Sequence, residues 1–135
     1  MPNPKIPIPY EVWRTNPTDR GEDAANTFGH YLMLHCRAEA LKTAESAPLP
    51  TTDAQFKAHV AAAVDVALHN VMDLLEGFWR TDAGPNHTVE YALAVCVKAG
   101  GHTPVERIDI SPCLLDLPIG YWKWKEDFLG EPNTF

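Results

Sequence analysis

The sequence predicts an α+β fold, a single two-layer domain in which two long helices pack on a small antiparallel sheet. Two patterns carry this prediction. Residues 53–79 show the period of a long amphipathic helix, and residues 89–111 read as two strands joined at Gly100 and Gly101, which is typical of a hairpin. A length of 135 residues is ordinary for one domain, so we expect residues 1–135 to fold as one unit.

The helices and their connectors can be placed in chain order. Apolar residues alternate with prolines at the start of residues 6–13. Proline has no backbone N–H to donate to a neighbouring strand, so this stretch is predicted as an edge strand or an extended arm. A first helix begins near residue 23 or 26 and ends near residue 46. A proline-rich connector follows, and Thr52 or Asp53 then caps the second helix, which ends near residue 80.

The predicted hairpin lies at about residues 89–111. Its first strand, residues 89–97, is apolar on both sides, which indicates a strand covered on both faces. Its second strand, residues 106–111, places Ile108 and Ile110 on the core side. One face of the first strand carries the larger side chains, Val89, Tyr91, Leu93, Val95 and Val97.

The second helix carries a polar stripe opposite an apolar one. Asp65, His69, Asp73 and Glu76 fall within roughly 80° on a helical wheel. This is the pattern of a helix that lies on a core with its polar side in water. We therefore expect the opposite side to face the core, with Val64, Leu68, Val71, Leu75 and Phe78 buried.

An alternative interpretation of the polar stripe is a metal site. Carboxylate oxygens and an imidazole nitrogen spaced four residues apart are ligands that zinc, manganese or iron accept. The site would lie between the two long helices and serve a metal-dependent or small-ligand enzyme. Its ligands would be His30, His35, Asp65, His69 and Asp73.

The first helix has two apolar arcs on its wheel, which indicates burial on two sides. One arc is Tyr31, Leu34, Ala38 and Leu41. This arc is predicted either to pack inside the domain or to form a homodimer interface, because exposed apolar stripes usually mark interfaces.

The C-terminal segment is rich in aromatic residues. Tyr121, Trp122 and Trp124 lie close to Lys123 and Lys125. Aromatic rings beside cations can stack sugars or bases, so this cluster is a candidate ligand site. The alternative, which the sequence favours, is an aromatic plug that closes the core.

Charge and missing motifs limit the function classes. The net charge of −7 disfavours nucleic acid, whose binding depends on neutralising phosphates, and suits a basic protein partner. Motifs for nucleophilic hydrolysis or phosphate binding do not occur, so no catalytic residue and no cofactor are predicted.

The same features suggest a location and a role. Three cysteines without paired spacing, no export signal and no run of 18 apolar residues predict a cytoplasmic protein with no membrane contact. The sequence therefore favours a non-enzymatic protein-interaction module that acts as an antagonist of its partner.

Overall fold

The computed structural model describes residues 17–78, 81–82, 88–112 and 116–131. Helices and a two-stranded antiparallel sheet confirm the α+β class. Packing divides the described residues into two compact units, the first of residues 17–71, 81–82 and 88–89, the second of the remainder. The predicted arm at residues 6–13 lies outside the described residues.

The first unit begins with one long helical stretch that contains a π-helical turn. Helix α1 (Pro17–Tyr31) continues into a π segment (Leu32–Arg37) and then into α2 (Ala38–Ser46). The buried residues of this stretch are spaced four apart along α1, five apart across the π segment and four apart again in α2. They are Asp23, Thr27, Tyr31, Cys36 and Ala40. The π segment therefore shifts the buried face by one residue relative to a continuous α-helix.

Helix α3 (Asp53–Leu75) begins where the sequence predicted. The Thr52 hydroxyl accepts the backbone N–H of Gln55 at 3.1 Å, and the Gln55 side chain accepts the N–H of Thr51 at 2.8 Å. This reciprocal cap confirms Thr52 as the start signal.

The end of α3 comes five residues earlier than predicted. Gly77 has a φ of 80°, a left-handed conformation that ends helices and that glycine adopts without strain. A Cβ at this position would lie 3.1 Å from a carboxylate oxygen of Glu90. The positive φ is therefore the reason for glycine here, and the exposed Glu90 carboxylate, which sequence periodicity does not reveal, lies close to it.

The predicted core face of α3 is wrong at Val64, Leu68 and Phe78, whereas Val71 and Leu75 are half-buried. The side chains of Val64 and Leu68 are 48% and 45% exposed, and Phe78, beyond the helix end, is 61% exposed. Asp65, His69 and Asp73 are half-buried and make interactions within the structure. A helical wheel separates the two faces of a helix but does not say which face meets a neighbour. Here Asp65, His69 and Asp73 make interactions, whereas the apolar side chains of Val64 and Leu68 are about half-exposed.

Helix α3 is long and apolar enough to cross a membrane by length and composition, with a mean hydropathy of 1.2 over its most apolar window. One such helix is weak evidence for a membrane span, because core helices of soluble proteins pass the same test, but those helices are mostly buried and the apolar window of α3 is 6% buried. A short ladder, β1 (Thr81–Asp82) with β2 (Thr88–Val89), also belongs to the first unit.

The predicted hairpin forms in the second unit, with different bounds. Strand β3 (Ala94–Ala99) pairs antiparallel with β4 (Thr103–Asp109), and Gly100 and Gly101 make the turn with positive φ. The first strand begins at residue 94 and not at 89, because Val89 pairs with Thr81 in the other ladder. Burial on both faces is also wrong, since β3 is exposed from Val95 to its end.

The core of the second unit joins the end of α3 to helix α4 (Leu117–Leu129). Leu74 and Leu117 are almost fully buried. The Glu76 carboxylate, also buried, accepts the N–H of Leu117 at 3.0 Å at the start of α4. The Ser111 hydroxyl donates to the carbonyl of Leu75 and accepts the N–H of Leu93. These hydrogen bonds connect the end of α3 to the start of α4 and, through Ser111, to the hairpin.

Candidate functional site

An open apolar groove of about 300 Å³ runs between the two long helical stretches of the first unit. The helices are antiparallel, because His35 lies beside Asn70 and the groove continues from there toward lower numbers on α3 and higher numbers on α2. The lining contains one charged residue and is otherwise apolar. It consists of Leu32, Met33, Cys36, Arg37, Ala40, Leu41, Ala63, Val64, Ala67, Leu68 and Val71.

The groove belongs to a larger exposed surface, which we call the apolar face. Phe56 and Val60 continue the stripe of Val64 and Leu68 along α3 at steps of four residues, and residues so spaced lie on one side of a helix. Six large side chains of this face are between 44% and 56% exposed: Met33, Leu41, Phe56, Val60, Val64 and Leu68.

The free energy still available from this face is large. Full burial of such a side chain is worth about 1.5–3 kcal/mol, so six that are half-exposed leave roughly 5–9 kcal/mol unrealised in each chain. Association of two proteins costs about 4–15 kcal/mol in lost freedom. The burial energy that two such faces would gain on contact is therefore comparable with the cost of association and can sustain a complex.

The π segment forms one wall of the groove and is anchored from α3. The N–H of Ala38 donates to the carbonyl of Met33, five residues back, as in a π-helix. The carbonyl of His35 accepts a hydrogen bond from the Asn70 side-chain amide at 2.7 Å. This contact ties the π segment directly to α3.

Aromatic rings pack around the start of the π segment. The buried ring of Tyr31 stacks on the ring of His35 at 5.3 Å and meets His30 edge-on at 5.9 Å. Burial lowers the pKa of His35 below its ordinary value of 6.5, the nearby His30 lowers it further, and Glu39 opposes both effects. Folding therefore favours the neutral form of His35 more than the unfolded chain does.

This shift predicts a pH dependence of stability. The unfolded chain binds a proton on His35 more readily than the folded protein does, so stability decreases as the pH falls below 6.5. His35→Gln should flatten this part of the profile between about pH 7.5 and about pH 5.5. Denaturant melts across that range test it, with His102→Gln, at an exposed turn position, as the control. Equal slopes for wild type and His35→Gln would contradict the prediction.

The described residues provide no group of three or more His, Cys, Asp or Glu side chains arranged to hold a metal ion. The proposed ligands His30 and His35 lie by Tyr31, and Asp65, His69 and Asp73 lie along α3. The alternative interpretation of these five residues as a metal site therefore has no support from their placement.

The four residues of the predicted interface arc separate in the structure. Leu41 is exposed and lines the groove, whereas Tyr31 is buried. Leu34 and Ala38 are half-buried. The arc was drawn on a continuous α-helix, and the π segment shifts the residues that follow it by one position.

The aromatic cluster of the C-terminal segment lies on α4, which Asp116 caps by accepting the N–H of Ile119 at 3.1 Å. Tyr121 and Trp122 are in edge contact at 5.1 Å, and the ammonium of Lys125 lies 5.5 Å from the Trp122 ring centre. Trp124 lies against Gly120, where a Cβ would be 3.1 Å from the ring. All three rings are half-buried.

Sequence reasoning found the apolar side of α3 but assigned it to the core, and it missed the π segment and the role of Asn70. A signal for the face was present, since Phe56, Val60, Val64 and Leu68 repeat every four residues. A scan against protein-family models and searches of curated proteins and of solved structures found no match to this chain. The site is therefore interpreted from its geometry alone.

Proposed function

We propose that this protein is a non-enzymatic protein-interaction module and that its apolar face binds an apolar helical surface of a partner protein. The observation that carries the proposal is the groove, whose lining is apolar except for Arg37. Grooves of this kind accept the apolar side of an amphipathic helix. Large exposed apolar patches on soluble proteins commonly mark such contacts.

The chemistry of the lining also indicates the kind of partner. The groove contains no acidic residue, so attraction between the acidic chain and a basic protein has no support at this surface. The alternative, a metal-dependent enzyme, lacks a group of three or more His, Cys, Asp or Glu side chains placed to hold a metal ion among the described residues. An apolar helical surface is the partner that the lining favours.

A cytoplasmic location is part of the same proposal. Cys96 is exposed on the hairpin as a free thiol, and Cys36 is a buried free thiol. Free thiols persist in the reducing cytosol, whereas oxidising compartments favour disulfides.

A fluorescent amphipathic peptide rich in leucine tests the proposal. Dilute protein, at nanomolar concentration, should bind the peptide saturably in an anisotropy titration. Leu68→Glu should weaken binding at least about 10-fold, because it places a charge in the groove. Ala62→Glu adds the same charge at an exposed position on the opposite side of α3 and should bind like wild type. Equal binding by all three proteins, or no binding, would refute the proposal.

A further inference from the structure

We propose that the partner of the apolar face is a second copy of this chain, so that two helix pairs join in an antiparallel four-helix arrangement. This inference rests on the proposed function and names its partner. The twofold axis lies across the helices near Leu41 and Val64. Each α2 then faces α2 of the second copy, and each α3 faces α3 of the second copy.

The shape of the face fits this partner. Both walls of the groove are helices, and a pair of antiparallel helices with one apolar side is half of a four-helix bundle. The stripe from Phe56 to Leu68 is about 18 Å long at 1.5 Å per residue. Alanines line the groove between the larger side chains, so a second pair of helices can approach closely. In an isologous contact the same surface supplies both sides, so an apolar face meets an equal apolar face.

The contact between His35 and Asn70 fixes which residues of the two antiparallel helices lie level with each other. Moving six residues along each antiparallel helix from this contact reaches Leu41 on α2 and Val64 on α3, which both line the groove. A twofold axis placed at this level puts Val60 opposite Leu68 of the second copy. The apolar stripes of the two copies then overlap over their central turns.

The same axis brings opposite charges together. Arg37 and Glu45 are exposed and lie four residues before and after Leu41. Residues spaced by four share one side of a helix. When α2 pairs antiparallel with α2 of the second copy about Leu41, Arg37 of each copy lies level with Glu45 of the other. This complementarity occurs twice in the dimer and selects a second copy over an unrelated apolar helix.

Sedimentation equilibrium of the full chain over nanomolar to high micromolar concentrations tests the inference. Wild type should be a dimer at micromolar concentration. Leu68→Glu should weaken the dimer at least about 100-fold, since the symmetric contact receives the charge twice. Ala62→Glu should dimerise like wild type. Circular dichroism of each variant checks that the helices remain folded.

A charge exchange tests the register independently of the apolar contact. Arg37→Glu and Glu45→Arg should each weaken the dimer, and the double variant should restore it, because the opposite charges face each other again. Dimerisation that Leu68→Glu leaves unchanged, or a double variant weaker than both single ones, would overturn the inference. A wild-type monomer that binds the leucine-rich peptide would also overturn it and leave the proposed function standing. A monomer that does not bind the peptide would refute both.

Discussion

Leu74→Ala is expected to lower the free energy of unfolding by about 2–5 kcal/mol, the largest effect of any single truncation considered. Leu74 is 0% exposed, at the end of α3 and in the core of the second unit. Removing its side chain leaves a cavity that a packed core does not fill, and the loss of contacts adds to the loss of burial.

Denaturant melts of purified variants measure this effect. Leu129→Ala makes the same chemical change at a position 69% exposed in α4 and should alter stability by no more than about 0.5 kcal/mol. Leu68→Ala should cost less than Leu74→Ala and more than Leu129→Ala in dilute protein, because Leu68 is 45% exposed when the apolar face is uncovered. A greater loss for Leu68→Ala than for Leu74→Ala under those conditions would show that the face assigned from sequence was right after all.

Asn70→Ala is expected to cost about 1–3 kcal/mol, because it leaves the carbonyl of His35 without its partner in a half-buried place. The lost hydrogen bond, 2.7 Å long, joins α3 to the π segment. Asn26→Ala is the matched control, since Asn26 lies exposed in α1 and gains the same helix propensity on substitution. The difference between the two variants isolates the contact.

Amide hydrogen exchange provides a second measurement on Asn70→Ala. The π segment should lose protection more than α4, because the substitution loosens the segment that Asn70 holds. The prediction would be contradicted if Asn70→Ala and Asn26→Ala lost equal stability and amide hydrogen exchange in residues 32–37 stayed unchanged. The π segment would then form without the Asn70 hydrogen bond.

The apolar face shows where prediction from sequence failed and why. Periodicity identified two sides of α3, and the assumption that the apolar side meets the core then placed Leu68 inside. In the structure Leu74 is buried and Leu68 is not, although both belong to the same apolar pattern. An apolar face that associates with another protein has the same periodicity as one that packs on its own domain.

What the sequence by itself determined is local. The α+β class, the cap at Thr52 and the turn at Gly100 and Gly101 follow from side chains that act on their own or adjacent backbone. Each such signal involves residues within a few positions of one another, so it does not depend on the tertiary contacts of the rest of the chain.

Only the tertiary structure decided the features that depend on distant residues. The π segment is tied to α3 through Asn70, 35 residues beyond His35, and the approach of Glu90 accompanies the early end of α3 at Gly77. The start of the hairpin depends on the pairing of Val89 with Thr81. A single inserted residue in a helical turn then reassigns every following position to a different face. The wheel of the first helix, which assumes 3.6 residues per turn throughout, therefore joined Tyr31 and Leu41 in one arc, whereas the structure buries Tyr31 and exposes Leu41.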